Sequence, residues 1–165
     1  MFNRWPKLTA TLAILTVVAA VGYLIQQTFQ ANRRPKGTIW FYNLKTRTLF
    51  AASDLSVPPI DTESGPATGV RAYVYATGDG ANPGNRFIAF LETLAPETKR
   101  DVEADLKRKG TPTGIGFLLE KRAGGILVSS PEVIEWHPKF SQEGAEIMKA
   151  GKKKGGSARI RLCLP

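Results

Sequence analysis

Residues 8–32 carry no formal charge, and residues 8–25 are apolar apart from their threonine, glycine and tyrosine positions. At about 1.5 Å per helical residue, those roughly 18 positions span about 27 Å, close to the hydrocarbon thickness of a bilayer. This segment constrains the chain more than any other, because either a signal peptidase removes it or a membrane holds it. Val18-Ala19-Ala20 has the small-residue form of a cleavage site. Cutting after Ala20 would leave Val21-Gly22-Tyr23-Leu24-Ile25 as an apolar new N-terminus. Tyr23, Gln26, Gln27 and Gln30 ahead of Arg33-Arg34 read instead as the exit of a spanning helix. The expectation is an uncleaved transmembrane anchor at 8–32 behind a basic N-terminal tail at 1–7, with Arg4, Trp5, Lys7, Tyr23, Arg33 and Arg34 at the membrane interface.

Orientation sets two rules against each other. Arg4 and Lys7 precede the segment, whereas Arg33, Arg34, Lys36, Lys45 and Arg47 follow it, so positive charge alone keeps the domain inside. A short basic head, an apolar run and one long domain form the signal-anchor layout, and long domains translocate with less regard to charge. A single-pass membrane protein with a periplasmic or otherwise extracytoplasmic domain is expected.

The net charge of +9 is terminal. Arg4 and Lys7 sit near one end; Lys149, Lys152, Lys153, Lys154, Arg159 and Arg161, with no acid among them, sit near the other. Setting those aside leaves 15 of the 23 basic residues against all 14 acids, so a basic balance does not by itself indicate a nucleic-acid-binding face. The single cysteine, Cys163, excludes an intramolecular disulfide and a cysteine-based zinc cage.

Beyond the anchor roughly 130 residues remain, enough for one core. The runs 38–42 ("TIWFY") and 48–52 ("TLFAA") predict a hairpin, and 57–69 ("VPPIDTESGPATG") predicts a surface loop. In 70–76, Val70, Ala72, Val74 and Ala76 alternate with Arg71, Tyr73 and Tyr75, the signature of a half-buried strand. Another strand is expected over 86–91. A helix over 96–109 has Pro96 in its first turn, Gly110 just past its end, and Val102 and Leu106 on one side. Runs 115–121 and 126–129 predict a second hairpin, Ser141 a capped helix ending near Ala150, and 158–163 a half-exposed strand or tail extension. The fold class is α+β: a transmembrane helix, then a small, mainly antiparallel sheet domain with one or two helices at 33–148, and a basic C-terminal tail at 149–165.

The chemical motifs are thin. His137 and Cys163 are better explained as a surface-loop histidine and an edge-strand cysteine than as a nucleophilic pair. "GDGANPG" is followed by the β-prone "RFIAF" rather than by a helix, which makes it a turn and not a phosphate cradle. Glu97, Asp101 and Asp105 share a helix face, expected to be solvated. No catalytic residue, metal or cofactor is expected, and no enzymatic activity. The basic stretch offers Lys152, Lys153, Lys154, Arg159 and Arg161 for partner or lipid contact, and Trp40, Tyr42, Tyr73 and Tyr75 are candidates for partner contact on strand faces. Nucleic acid is a weaker reading, because the tail has no interleaved aromatics for base stacking.

The order of the apolar segment, "IWFYNLKTRTLFAASDLSVPPID", "GVRAYVYATG", "RFIAFLETLAPETK" and "SQEGAEIM" resembles a group of small, N-terminally anchored bacterial proteins without an assigned activity. The layout of an apolar helix carrying a small sheet domain is also similar to that of pseudopilins, although this segment has no acid where a prepilin has its glutamate. The expected function is a non-enzymatic structural or accessory subunit of a membrane protein assembly, with membrane lipids and other membrane subunits as partners. The alternatives are a cleaved periplasmic binding module, a pseudopilin-like envelope component, or a cytoplasm-facing lipid or nucleic-acid binder. No small-molecule ligand is specified.

Overall fold

The computed structural model describes residues 37–78, 80, 82–109, 123–156 and 159–165. The chain divides between Pro35 and Lys36, and all described residues lie on the C-terminal side of that division. The expected anchor at 8–32, the interface residues Arg4, Trp5, Lys7, Tyr23, Arg33 and Arg34, and the strand expected at 115–121 fall outside them. Among the described residues no helix is long and apolar enough to cross a membrane.

The domain is α+β, with a mainly antiparallel sheet and two α-helices among the described residues. The strands are β1 (Thr38–Asn43), β2 (Thr48–Ser53), β3 (Ile60–Thr62), β4 (Gly65–Thr77), β5 (Arg86–Leu94), β6 (Ile126–Ser129), β7 (His137–Pro138) and β8 (Ile160–Leu162). The helices are α1 (Pro96–Lys109) and α2 (Gln142–Lys153). The strands run in the order β2-β1-β4-β5-β6-β7, with β3 and β8 both on β4. The expected β1–β2 hairpin forms, and its turn is closed by the Asn43 side-chain oxygen, which accepts the amides of Lys45 and Thr46 at 2.9 and 3.1 Å.

Alternation in β4 sorts the sheet into two faces. Val70, Ala72, Val74 and Ala76 are buried on one, where Tyr42, Leu91, Trp40, Leu44, Ile88, Trp136 and Cys163 gather around them. On the other, cross-strand partners Phe50, Phe41, Arg71, Glu92 and Val128 form a row from β2 to β6. Both helices pack on this second face. Val102 of α1 joins Val57, Leu94 and Ile126 in one buried cluster, with Leu55 and Leu106 packed against it, while Ile147 and Met148 of α2 pack against Ala89, Phe90 and Val128, as Tyr73, Tyr75 and Phe87 do.

Helix α2 sits flush because two glycines seven residues apart face the strands. A Cβ on Gly144 would lie 2.2 Å from the Pro138 carbonyl oxygen, and one on Gly151 only 2.0 Å from that of Ala89. Ala89 occupies the irregularity where the β4–β5 register shifts, so the helix seats its barest turn against the raised backbone. Ser141 caps the helix as expected, its hydroxyl accepting the Gly144 amide at 3.1 Å.

Four expectations change. Residues 57–69 are not simply a surface loop: Ile60–Thr62 and the first part of the 13-residue β4 form a hairpin, and Val57 is buried. Its turn is built from Thr62, Ser64 and Thr68, whose hydroxyls bond one another, and from Gly65, whose carbonyl accepts from Thr68 Oγ1 at 2.9 Å; these bonds replace the apolar alternation that usually marks a strand. The strand expected to end at Leu91 continues to Leu94. Asp105 is buried rather than part of a solvated face, because it lies one turn from Val102 on the packed side and accepts from Arg108 at 2.6 Å. The helix expected to end near Ala150 runs on to Lys153, while the half-exposed strand expected over 158–163 is β8 at Ile160–Leu162.

Candidate functional site

The basic residues near the C-terminus converge at one end of the sheet. Lys152 and Lys153 close the last turn of α2, where positive charge complements the helix dipole. Gly155, just past the helix, lies against β8: a Cβ there would sit 2.3 Å from Ile160 Cγ2. Strand β8 pairs with the end of β4, matching Ile160 to Thr77, Arg161 to Ala76 and Leu162 to Tyr75, and the Cys163 amide donates to the Val74 carbonyl at 2.8 Å. Cys163 and, two residues earlier, Arg161 thus turn their amides toward β4, which leaves those of Ile160 and Leu162 on the outer edge. Leu162 and Leu164 are 55% and 61% exposed beside the exposed Arg159 and Arg161.

Lys154 differs from its neighbours. Its ammonium donates to Glu132 and to the Ile88 carbonyl, tying α2 to β5 and to the loop after β6. Partial burial works to raise the Glu132 pKa, but hydrogen bonds from Lys154 and Ser130 outweigh it and hold the carboxyl below its ordinary value. All five basic candidates are exposed; Lys152, Lys153, Arg159 and Arg161 form the patch beside β8, and Lys154 is a surface clamp engaged with Glu132.

The four aromatic candidates separate. Tyr42 is buried among Val70, Ala72 and Leu91, and Trp40 packs half-buried beside it, with Arg86 6.0 Å from the centre of its ring. Tyr73 and Tyr75 lie on the opposite face, packed with Ile147 and Met148 of α2 around the buried Ala89, Phe90 and Val128. Tyr73 stacks on Phe90 at 4.3 Å. Of the four, Tyr42 is core and the others are half-buried, so none offers an open ring to a partner. His137 and Cys163 are likewise on opposite faces, since His137 pairs with Val128 and Cys163 lies opposite Val74.

A charged cluster lies beside Tyr73 that sequence reasoning missed. Glu92 is 1% exposed, and its carboxylate accepts from Lys139 Nζ at 2.6 Å and from Tyr73 Oη at 3.1 and 3.2 Å, with Arg71 at 3.5 Å. Arg71 also stands 4.8 Å over the Tyr73 ring. Burial, and then the Glu92 charge, push the Tyr73 pKa far above its ordinary value, so the phenol stays protonated and donates. The sequence signal was a lone glutamate inside "AFLETL", between two residues that sheet alternation places in the interior. Two cations, a buried acid and a phenol within contact form a saturated network, which suits holding the face together. Among the described residues no group of three or more His, Cys, Asp or Glu side chains is placed to hold a metal ion.

Comparison of the chain with protein-family models, curated proteins and solved structures finds no match. The candidate site therefore rests on its own geometry: a strand edge with two exposed leucines beside four exposed positive charges.

Proposed function

We propose that the chain is a single-pass membrane protein whose α+β domain lies outside the cytoplasm and docks onto other subunits of a membrane assembly as a non-enzymatic accessory component. The observation that carries this reading is the β8 edge. Outward backbone groups can extend a sheet by strand addition, the exposed Leu162 and Leu164 supply apolar contact, and Lys152, Lys153, Arg159 and Arg161 select an acidic partner surface. The uncharged residues 8–32 support attachment to the membrane in which such a partner resides.

The test is mild-detergent purification of the tagged full-length chain from washed membranes. The expected result is a membrane-bound chain of intact mass that co-elutes with a stoichiometric partner subunit, and a Leu162→Asp/Leu164→Asp variant that elutes alone with an unchanged melting temperature. A soluble form beginning near Val21, a lone monomer in detergent, or retention of the partner by the double variant would each overturn the reading.

A further inference from the structure

On the helix-bearing face, away from both helices, the β1–β2 and β3–β4 turns and Phe50 enclose a cleft of about 740 Å³ that the docking edge does not use. Its apolar surface comes from Phe50, which lies against the bare backbone of Gly69, where a Cβ would sit 3.1 Å from Phe50 Cζ, and packs on Phe41 at 5.8 Å. Its walls carry the hydroxyls of Thr46, Thr48, Thr62 and Ser64, and the exposed carboxylates of Asp61 and Glu63 stand among them.

This lining is organised by internal hydrogen bonds. The buried Asn43 joins the two turns, donating to Thr62 Oγ1 at 3.0 Å and accepting from Ser64 Oγ at 3.0 Å. Lys45 Nζ donates to the Ser64 carbonyl at 3.1 Å, and Asp61 Oδ1 accepts the Ala67 amide at 2.8 Å. A wall whose shape is set before binding loses little entropy when a ligand arrives. Thr46 and Thr48 share one hydrogen bond at 2.7 Å, and two hydroxyls joined once still hold a second proton and free lone pairs.

Those groups match a particular ligand chemistry. A pyranose ring presents a C–H face to an aromatic side chain, and neighbouring hydroxyls that donate to carboxylates and accept from threonines. Phosphate-bearing ligands are disfavoured by Asp61 and Glu63, and a hard cation that wants about six oxygens finds two carboxylates, with the Lys45 ammonium bonded close by. The volume falls within the roughly 300–1,000 Å³ of small-ligand sites. We infer that this cleft binds a neutral oligosaccharide of pyranose units.

The test is calorimetric titration of the full-length protein in detergent with cellotriose, maltotriose and chitotriose, accompanied by NMR shift mapping. At least one trisaccharide is expected to bind and to shift the amides of Thr46, Thr48 and Ser64. Asp61→Asn should weaken that binding about tenfold or more, the effect of losing a hydrogen bond to a charged group. Phe50→Ala should abolish it, and Phe50→Leu, which keeps an apolar group against Gly69 and Phe41, separates lost stacking from lost folding once its melting temperature is matched. The inference is overturned if none of the three binds at millimolar concentration, if Asp61→Asn and Phe50→Leu leave binding unchanged, or if spermidine binds in their place in a salt-sensitive manner.

Discussion

One face of this sheet has a closed end and an open end, and they are held by different forces. Over β5 and β6 the face is roofed by two helices, and the contacts join distant parts of the chain: Lys139 reaches Glu92 across 47 residues, and Gly151 rests against Ala89. Over β1 to β3 the structure depends on short polar bonds centred on Asn43, several of them made to its own turn. The closed end is specified by packing and one buried charge, which tolerate no gap. The open end is specified by side chains that replace backbone partners locally, so it can remain concave and wet without losing its shape.

Removing Glu92 is the strongest way to break this contrast. Glu92→Ala leaves Arg71 and Lys139 facing a buried vacancy and should cost about 3–5 kcal/mol in denaturant unfolding, whereas Glu92→Gln, which keeps an acceptor for Tyr73, should cost less. A loss below about 1 kcal/mol, the scale of a surface ion pair, would show that the closed end does not depend on the charge. Asn43→Ala should cost about 1–3 kcal/mol, the range for stranding buried partners, with increased amide exchange confined to the β1–β2 and β3–β4 turns. Exchange spreading to β5 and β6 would mean that the two ends are one cooperative unit.

The smallest effect concerns Glu132 and Lys154. The Glu132 pKa is depressed in the folded state from its ordinary value of 4.5, so its stabilising contribution is fully present above that pH and is lost as pH falls through the lower folded value. The pair is largely exposed, which limits the effect to under about 1 kcal/mol. Stability measured against pH should therefore fall slightly less steeply below pH 4.5 in Glu132→Gln than in the parent. Identical slopes would show that Lys154 does not act as a clamp and return it to the basic patch.

Legibility in the sequence followed the type of force. The β1–β2 hairpin, the alternation in β4, helix α1 with its Val102–Leu106 stripe and the Ser141 cap were all readable, because each depends on residues a few positions apart. The β3–β4 hairpin has the sequence of a loop, since its strands are polar and their order comes from hydroxyls bonding across the turn. Glu92 is not legible as a buried residue, because an acid after Leu91 resembles the end of a strand and its partners Lys139, Tyr73 and Arg71 are distant in sequence. Gly144 and Gly151 carried a usable signal, two bare positions bracketing Ile147 and Met148 at helical spacing, which marks a face made for close approach. Of the candidate site, the basic residues were visible as composition, but the clamp role of Lys154 was not.

The sequence by itself determined the local elements, the uncharged stretch at 8–32 and the concentration of positive charge near the C-terminus, because each follows from neighbouring residues and their spacing. Tertiary structure alone decided that β8 returns to the end of β4 with Leu162 exposed, that Tyr42 belongs to the core, and that the polar residues of two separate turns surround one cleft. These depend on which distant strands pair and in what register, and a shift of one residue would reverse every face.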